Sequence, residues 1–178
     1  MKDIIAFGGS NSSKSINKAL AIHAASLLKD VDVTVLDLND YKLPVFSIDL
    51  ENESGIPENA QRFLNRLHSA DAIVLSLAEH NGAYSTAFKN IFDWMSRIDG
   101  KLWHNTPMLL MATSPGKRGG KSVLEIAKSR FPFMGGNIVA DFSLPSFYEN
   151  FNDGKITDKT LQEELAAAVD ILGNELKS

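Results

Sequence analysis

Five short apolar runs, most of them followed by a stretch with helical spacing, constrain this chain more than any other feature of its sequence. The runs are Ile4–Phe7, Val31–Leu38, Ala72–Leu77, Met108–Ala112 and Ile138–Phe142. Most are continuously apolar rather than alternating, as parallel strands covered by helices on both faces require. Between them, Ile16, Leu20, Ala24 and Leu27 fall on one helical face. Ala60, Phe63, Leu64 and Leu67 make a second face, with Pro57 suited to the first turn. Phe88, Ile91, Phe92 and Met95 make a third, with Gly100 as its expected C-cap. Val123, Ala127 and Phe131 make a fourth, stopped by Pro132. Leu161, Leu165, Ala168 and Leu172 make the last, with Thr157 or Asp158 as N-cap. This alternation predicts a doubly wound α/β sheet. The 178 residues suit one domain, 1–178, without repeats, low-complexity tracts or an internal linker. Asn39 to Ser54 shows little regular pattern, and a connection of that length is either a surface excursion or functional.

Charge and composition narrow the function classes. Eighteen Lys and Arg against 22 Asp and Glu give a net charge of −4, with no basic run. The chain therefore carries no electrostatic footprint for nucleic acid. With no cysteine, disulfides, thiolate metal sites and a cysteine nucleophile are excluded. No apolar run approaches the roughly 20 residues of a membrane span. Only four apolar residues follow Met1-Lys2-Asp3, short of the roughly 7–15 of a signal peptide. A soluble, cytoplasmic protein with no membrane partner is expected. His68 and His104 have no carboxylate or histidine at metal-ligand spacing, so no metal site is expected. His23 lies on an apolar helix face and reads as a core or half-buried residue. Trp94 and Met95 widen the stripe of their helix, either as core or as a helix-to-helix contact in a dimer.

In an open parallel sheet, ligands bind at the carboxyl ends of the strands. Three loops there are unusual. Gly8-Gly9-Ser10-Asn11-Ser12-Ser13-Lys14-Ser15-Ile16-Asn17 follows the first strand and opens a helix. Its small residues allow close backbone approach. The hydroxyls of Ser10, Ser12 and Ser15 can donate to phosphate, and a helix N-terminus adds free N–H groups. Such a cluster can also simply turn and cap a helix; its place after the first strand favours phosphate. A nucleotide P-loop is disfavoured, because G-x-x-x-x-S-K-S from Gly8 lacks the second glycine, and the Gly120-Lys121-Ser122 near-match has Pro115 in place of the first. No G-x-G-x-x-G is present for tightly held NAD, nor a G-x-S-x-G hydrolase elbow. The second loop, Ala78-Glu79-His80-Asn81-Gly82-Ala83-Tyr84, offers a ring (His80 or Tyr84), an amide (Asn81) and a flexible glycine (Gly82) to a flat heteroaromatic ligand. Glu79 could equally serve a helix N-terminus. The third, Thr113-Ser114-Pro115-Gly116-Lys117-Arg118-Gly119-Gly120, carries three glycines and two cations, an expected anion-binding nest or a solvated turn.

Together the three loops resemble the NADPH-dependent FMN reductase family, over nearly the whole chain. Gly9, Ser10, Ser15 and Asn17 fit the family's G-S-x-R-x-x-S-x-N. Glu79, Asn81, Gly82, Lys89, Asn90, Asp93 and Trp94 fit its P-E-Y-N-G-x-x-x-x-x-L-K-N-x-x-D-W. Ser114, Pro115, Gly116, Gly119 and Gly120 fit its S-P-G-x-x-G-G, and Asp153-Gly154-Lys155-Ile156-Thr157-Asp158 is similar to the entry of its last helix. Ser12 stands where the family has arginine, Ala78 and His80 where it has Pro and Tyr, and Phe88 where it has Leu. The resemblance implies a flavodoxin-like, five-stranded parallel sheet of order 2-1-3-4-5 with helices on both faces. It implies bound FMN, with NADPH or NADH as co-substrate, in a ping-pong cycle ending on a quinone, azo compound, flavin or metal oxyanion. By the same resemblance Ser10, Ser12, Ser15, Ile16 and Asn17 hold the FMN phosphate. Glu79, His80, Asn81 and Gly82 line the flavin edge, and Ser114, Pro115, Gly116, Gly119 and Gly120 flank the pyrimidine side. The chemistry is flavin-centred, so no side chain is an expected acid or base. A homodimer or homotetramer is implied too, with the helix of Phe88 and the Asn39–Ser54 loop at the contact. The first alternative is an FMN electron carrier that does not oxidise nicotinamide, against which a charge of only −4 speaks; a P-loop nucleotide-binding protein and a binding or sensor domain that keeps the fold without the chemistry are the others.

Overall fold

Side chains along the strands alternate between two separate apolar layers. In β1 (Lys2–Gly9), Ile4 and Ala6 face one layer while Ile5 and Phe7 face the other. The same division runs through β3 (Ala72–Leu77) and β6 (Pro107–Thr113). The computed structural model describes residues 1–177. Its main sheet is parallel throughout, in the order β2-β1-β3-β6-β7, where β2 is Val31–Leu36 and β7 is Asn137–Leu144. This is the expected order. One layer lies under α1 (Ile16–Ser26) and α7 (Lys159–Glu175), and holds Leu20, Ala24, Leu165 and Leu172. The other lies under α3 (Glu58–His68), α4 (Thr86–Ile98) and α5 (Lys121–Arg130), and holds Phe63, Leu67, Phe88, Phe92 and Phe131. Burial on both faces is why the central strands read as continuous apolar runs. Among the described residues, no helix is long and apolar enough to cross a membrane.

The Asn39–Ser54 connection is more ordered than its sequence suggests. A 3₁₀ turn covers Leu38–Asp40, and α2 (Ile48–Ser54) is capped by the Ser47 hydroxyl, which accepts from Leu50 N. Helix α4 holds this excursion in place. Asn90 Nδ2 and Trp94 Nε1 both donate to the Pro44 carbonyl at 2.9 Å, and Asn90 Oδ1 accepts from Phe46 N at 2.8 Å. Arg97 adds an ion pair to Glu51 at 2.8 Å. A short helix carried by tertiary contacts leaves little periodic signal. Trp94 and Met95 are fully buried within the chain, so both belong to the core. Three boundaries differ from expectation. Pro57 is the N-cap of α3 rather than a first-turn residue. Helix α4 ends at Asp99 in extended conformation, so Gly100 is not its cap. Strand β2 stops at Leu36, because the Asp37 carboxylate caps the 3₁₀ turn through Asn39 N. Asp158, of the two candidates, caps α7.

One buried amide ties the start of α1 to the sheet. Asn17 Oδ1 accepts from Thr113 N at 3.0 Å and from Ser76 Oγ at 2.6 Å, while Nδ2 donates to Thr113 O at 3.2 Å. All three residues are essentially inaccessible to solvent. Helix and strands approach closely here: a Cβ on Gly8 would lie 2.5 Å from Lys18 N. Removing the amide leaves buried polar groups of β3 and β6 unpaired, at about 1–3 kcal/mol each. Asn17→Ala is expected to destabilise the protein by about 2–4 kcal/mol, read as a shifted midpoint in urea unfolding; a loss under about 0.5 kcal/mol would refute this role.

Candidate functional site

The first loop places three hydroxyl groups in a row at the N-terminus of α1. Ser10 Oγ accepts from Ser12 N at 3.1 Å, Ser12 Oγ from Lys14 N at 3.2 Å and Ser15 Oγ from Lys18 N at 3.0 Å. Each oxygen is thereby fixed as an acceptor, and each hydroxyl proton remains free to donate. The first-turn N–H groups of Ile16 and Asn17 have no partner within the helix, and the positive end of the helix dipole lies beside them. This arrangement suits a phosphate. Lys14 lines the same cleft. Lys18 does not share that role, because its Nζ pairs with Asp37 Oδ2 at 2.6 Å. Burial pushes the Asp37 carboxyl up, but the Lys18 and Asn39 hydrogen bonds outweigh it and hold the group below its ordinary value.

The cleft continues along the carboxyl edge of the sheet. It has a volume of about 320 Å³, and its walls include Ser10, Ser12, Lys14, Ser15, Ile16, His80, Ser114, Pro115 and Tyr148. A neighbouring hollow of about 590 Å³ shares Asn11 and His80 with it and runs on past Tyr41, Lys42 and Asn90. Both volumes lie in the range of small-molecule sites, about 300–1,000 Å³. Tyr148, 73% exposed, is the wall that the sequence did not suggest. It follows the fifth strand of the sheet, outside the three loops singled out. The third loop brings it in: Ser146 N donates to Gly116 O at 2.9 Å and Phe147 N to Ser114 O at 3.1 Å, which starts α6 (Phe147–Asn150) at the cleft.

Several expected ligand-binding residues either bond elsewhere or stand outside the cleft lining. The Asn17 side chain is fully committed inside the core, which leaves only its backbone N–H for a ligand. Glu79 lines the cleft, yet its Oε1 accepts from Val123 N in the first turn of α5 at 2.8 Å. It serves a helix N-terminus, as a carboxylate there should. Asn81 (φ 51°) and Gly82 (φ 75°) form the exposed two-residue turn between β4 (Glu79–His80) and β5 (Ala83–Tyr84), outside the cleft lining. Two consecutive positive φ values make this a tight hairpin, for which Asn-Gly is the strongest local signal. Gly119 and Gly120 are buried behind the cleft, and Gly119 O accepts from Ser143 Oγ at 2.8 Å. Gly116 is at the exposed loop tip. Ser85, which no motif singled out, donates to Gly9 O at 2.7 Å and locks the hairpin to the first loop.

The Tyr84 ring packs against the core rather than lining the cleft. It packs against Phe88, Phe92 and Phe131, and its hydroxyl is buried without a hydrogen-bond partner. Burial, only partly opposed by the Arg130 charge, pushes the phenol up from 10.0 to about 12. The unfolded chain therefore loses this proton before the folded one, and stability falls as pH rises through that interval. Tyr84→Phe is expected to raise stability at neutral pH by about 1 kcal/mol and to flatten the alkaline fall. Thermal melts across pH 7–11 read both; a lower melting temperature for the variant would mean that the hydroxyl has a partner.

Known proteins resemble this arrangement at three levels. A family model described as NADPH-dependent FMN reductase matches residues 2–149. The flavoenzyme NAD(P)H:(acceptor) oxidoreductase FerB of Paracoccus denitrificans superposes with a TM-score of 0.77 at 25% identity, over 99% of this chain and 98% of that one. An uncharacterized MG342 homolog of Mycoplasma pneumoniae is 29% identical over 147 residues, 80% of this chain and 86% of that protein. The 2-hydroxy-1,4-benzoquinone reductase of a Burkholderia species is 34% identical over 113 residues, 62% of this chain and 60% of that enzyme. Across this and five other curated reductases, the chain spans 42% to 62% of their length.

Proposed function

The chain belongs to the NADPH-dependent FMN reductase family, and from that premise we propose that it is an FMN-dependent NAD(P)H oxidoreductase acting on a small-molecule electron acceptor. The observation that carries this reading is the row of Ser10, Ser12 and Ser15, whose oxygens are fixed and whose protons are free, at a helix N-terminus opening on the cleft. Held there, FMN would supply the redox chemistry between NADPH or NADH and, in the ping-pong order we infer, a quinone, azo compound, flavin or metal oxyanion.

The protein's part is binding and orientation. The three hydroxyls and the N–H groups of Ile16 and Asn17 would hold the phosphate, with Lys14 supplying the positive charge that the Ser12 position lacks. His80, Ser114, Pro115 and Tyr148 wall the part of the cleft left for a flat ring. The hollow beside Asn11 and His80 leaves room for the nicotinamide and the acceptor to use the site in turn. No side chain is assigned as acid or base. We also infer a cytoplasmic setting, where NAD(P)H is supplied. A homodimer or homotetramer is part of the reading, joined through α4 and the excursion that exposes Val45 and Ile48; light scattering of the purified protein reads this directly, and a monomer would remove it.

The visible absorption spectrum is the central test. The purified protein, or the protein after addition of FMN, is expected to show two flavin bands that bleach with anaerobic NADPH or NADH and return with a quinone. Bands that persist with both nucleotides but bleach with dithionite would overturn the reductase reading. The phosphate cradle has its own test. Replacing Ser10 and Ser12 together by Ala is expected to weaken FMN at least about tenfold, since hydrogen bonds to a charged group contribute roughly 1.5–3 kcal/mol each. Riboflavin affinity should stay unchanged. Equal losses for both flavins would place the phosphate elsewhere.

A further inference from the structure

We propose that His68, Asp99 and His104 bind one divalent transition-metal ion, with Zn²⁺ as the type case, at the edge of the sheet opposite the flavin cleft. His68 ends α3, Asp99 follows α4, and His104 lies in the connection that leads to β6. Helices that return antiparallel to the strands end at the strands' amino edge, so a strand length of roughly 20 Å separates this cluster from the cleft. The two sites share no residue.

One ligand atom from each of the three residues can be chosen so that all lie within 4.8 Å of one another. Tetrahedral coordination, with metal–nitrogen bonds of about 2.0–2.1 Å, needs ligand atoms roughly 3.3 Å apart. Atoms up to 4.8 Å apart must therefore close by about 1.5 Å when an ion binds. Two imidazoles and a carboxylate suit zinc, nickel or copper and disfavour magnesium or calcium, which prefer oxygen ligands.

The outer contacts support the same assignment. Asp99 Oδ1 accepts from Lys101 N at 2.7 Å, which orients the carboxylate and directs Oδ2 to His104 Nε2 at 2.6 Å. An ion would replace the proton shared by that pair. His68 Nε2 lies 3.0 Å from the Leu102 carbonyl, which can only accept, so Nε2 carries the hydrogen and Nδ1 keeps a lone pair. Histidine metal ligands are typically held in this way, with the second nitrogen on a backbone carbonyl. The two rings stack at 3.4 Å, tilted by 14°. Parallel rings direct their lone pairs alongside one another, so capture tilts one ring out of the stack, and His104, whose side chain is 45% exposed, has solvent on its open side to turn towards. Solvent reaches it there and can supply the fourth ligand.

Isothermal titration of the purified full chain, stripped with chelator, tests the proposal with Zn²⁺ and with Mg²⁺ as control. One equivalent of Zn²⁺ is expected to bind with micromolar or tighter affinity, and excess Mg²⁺ should not displace it. His68→Gln and His104→Asn should each weaken Zn²⁺ at least about tenfold, the lower bound for disturbing even an outer contact. Asparagine tolerates the positive φ of 50° at position 104, and that variant should keep its melting temperature without metal. No uptake of Zn²⁺, or uptake undiminished in both variants, as binding at His23 or His80 would give, overturns the assignment.

Discussion

The amide of Asn17 reaches from the first turn of α1 to two neighbouring strands, and the geometry of the cleft follows from that reach. Its three hydrogen bonds leave no freedom in where the helix starts relative to the ends of β3 and β6. The serine hydroxyls that precede it are positioned by the backbone N–H groups of the same loop. An anion cradle built from main-chain groups is only as well placed as the helix end that carries it. A buried, fully paired amide fixes that end more firmly than apolar packing would, because any displacement strands several polar groups in the core at once.

The remaining loops are joined by bonds of the same kind. Ser85 ties the Asn81–Gly82 hairpin to Gly9, Glu79 ties it to the start of α5, and Gly116 and Ser114 hold the segment that presents Tyr148. Family-motif residues thus divide into two groups. Ser10, Ser15, Ser114 and Pro115 line the cleft, whereas Asn17 and Glu79, which also touch it, commit their side chains to positioning the elements around it, as Asn90 and Trp94 do at the excursion. A residue that serves geometry and a residue that serves contact look alike in a single sequence.

The His68, Asp99 and His104 cluster marks a different limit of sequence reading. His68 and His104 are far apart in the chain, and Asp99 is spaced like an ordinary helix-capping residue. The two rings stack where the connection after α4 returns to the end of α3, with His68 Nε2 on the Leu102 carbonyl. Tyr84 shows the converse. Its place in a ligand-facing motif suggested an exposed ring, but the β4–β5 turn directs it into the cluster of Phe88, Phe92 and Phe131.

Much of the fold was determined by the sequence itself, since it rests on periodicity. Continuous apolar strands and one-faced helices admit few arrangements besides a doubly wound sheet, and loops after such strands meet at one edge by topology. Ser10, Ser12 and Ser15 were legible as a candidate anion site for that reason, because their chemistry is local to one loop and one helix end, and the structure sets all three on the cleft. What the tertiary structure alone decided is which polar side chains remain available. Asn17, Glu79 and Tyr84 are turned inward by partners 44 to 96 residues away or by a ring cluster, and Tyr148 is brought in through the Ser114–Phe147 bond. Hydrogen bonds and packing between distant segments leave no periodic trace in the chain, so spacing could not decide between the two readings of Glu79, a ligand contact or a helix N-terminus, nor assign the roles of Asn17, Tyr84 and Tyr148.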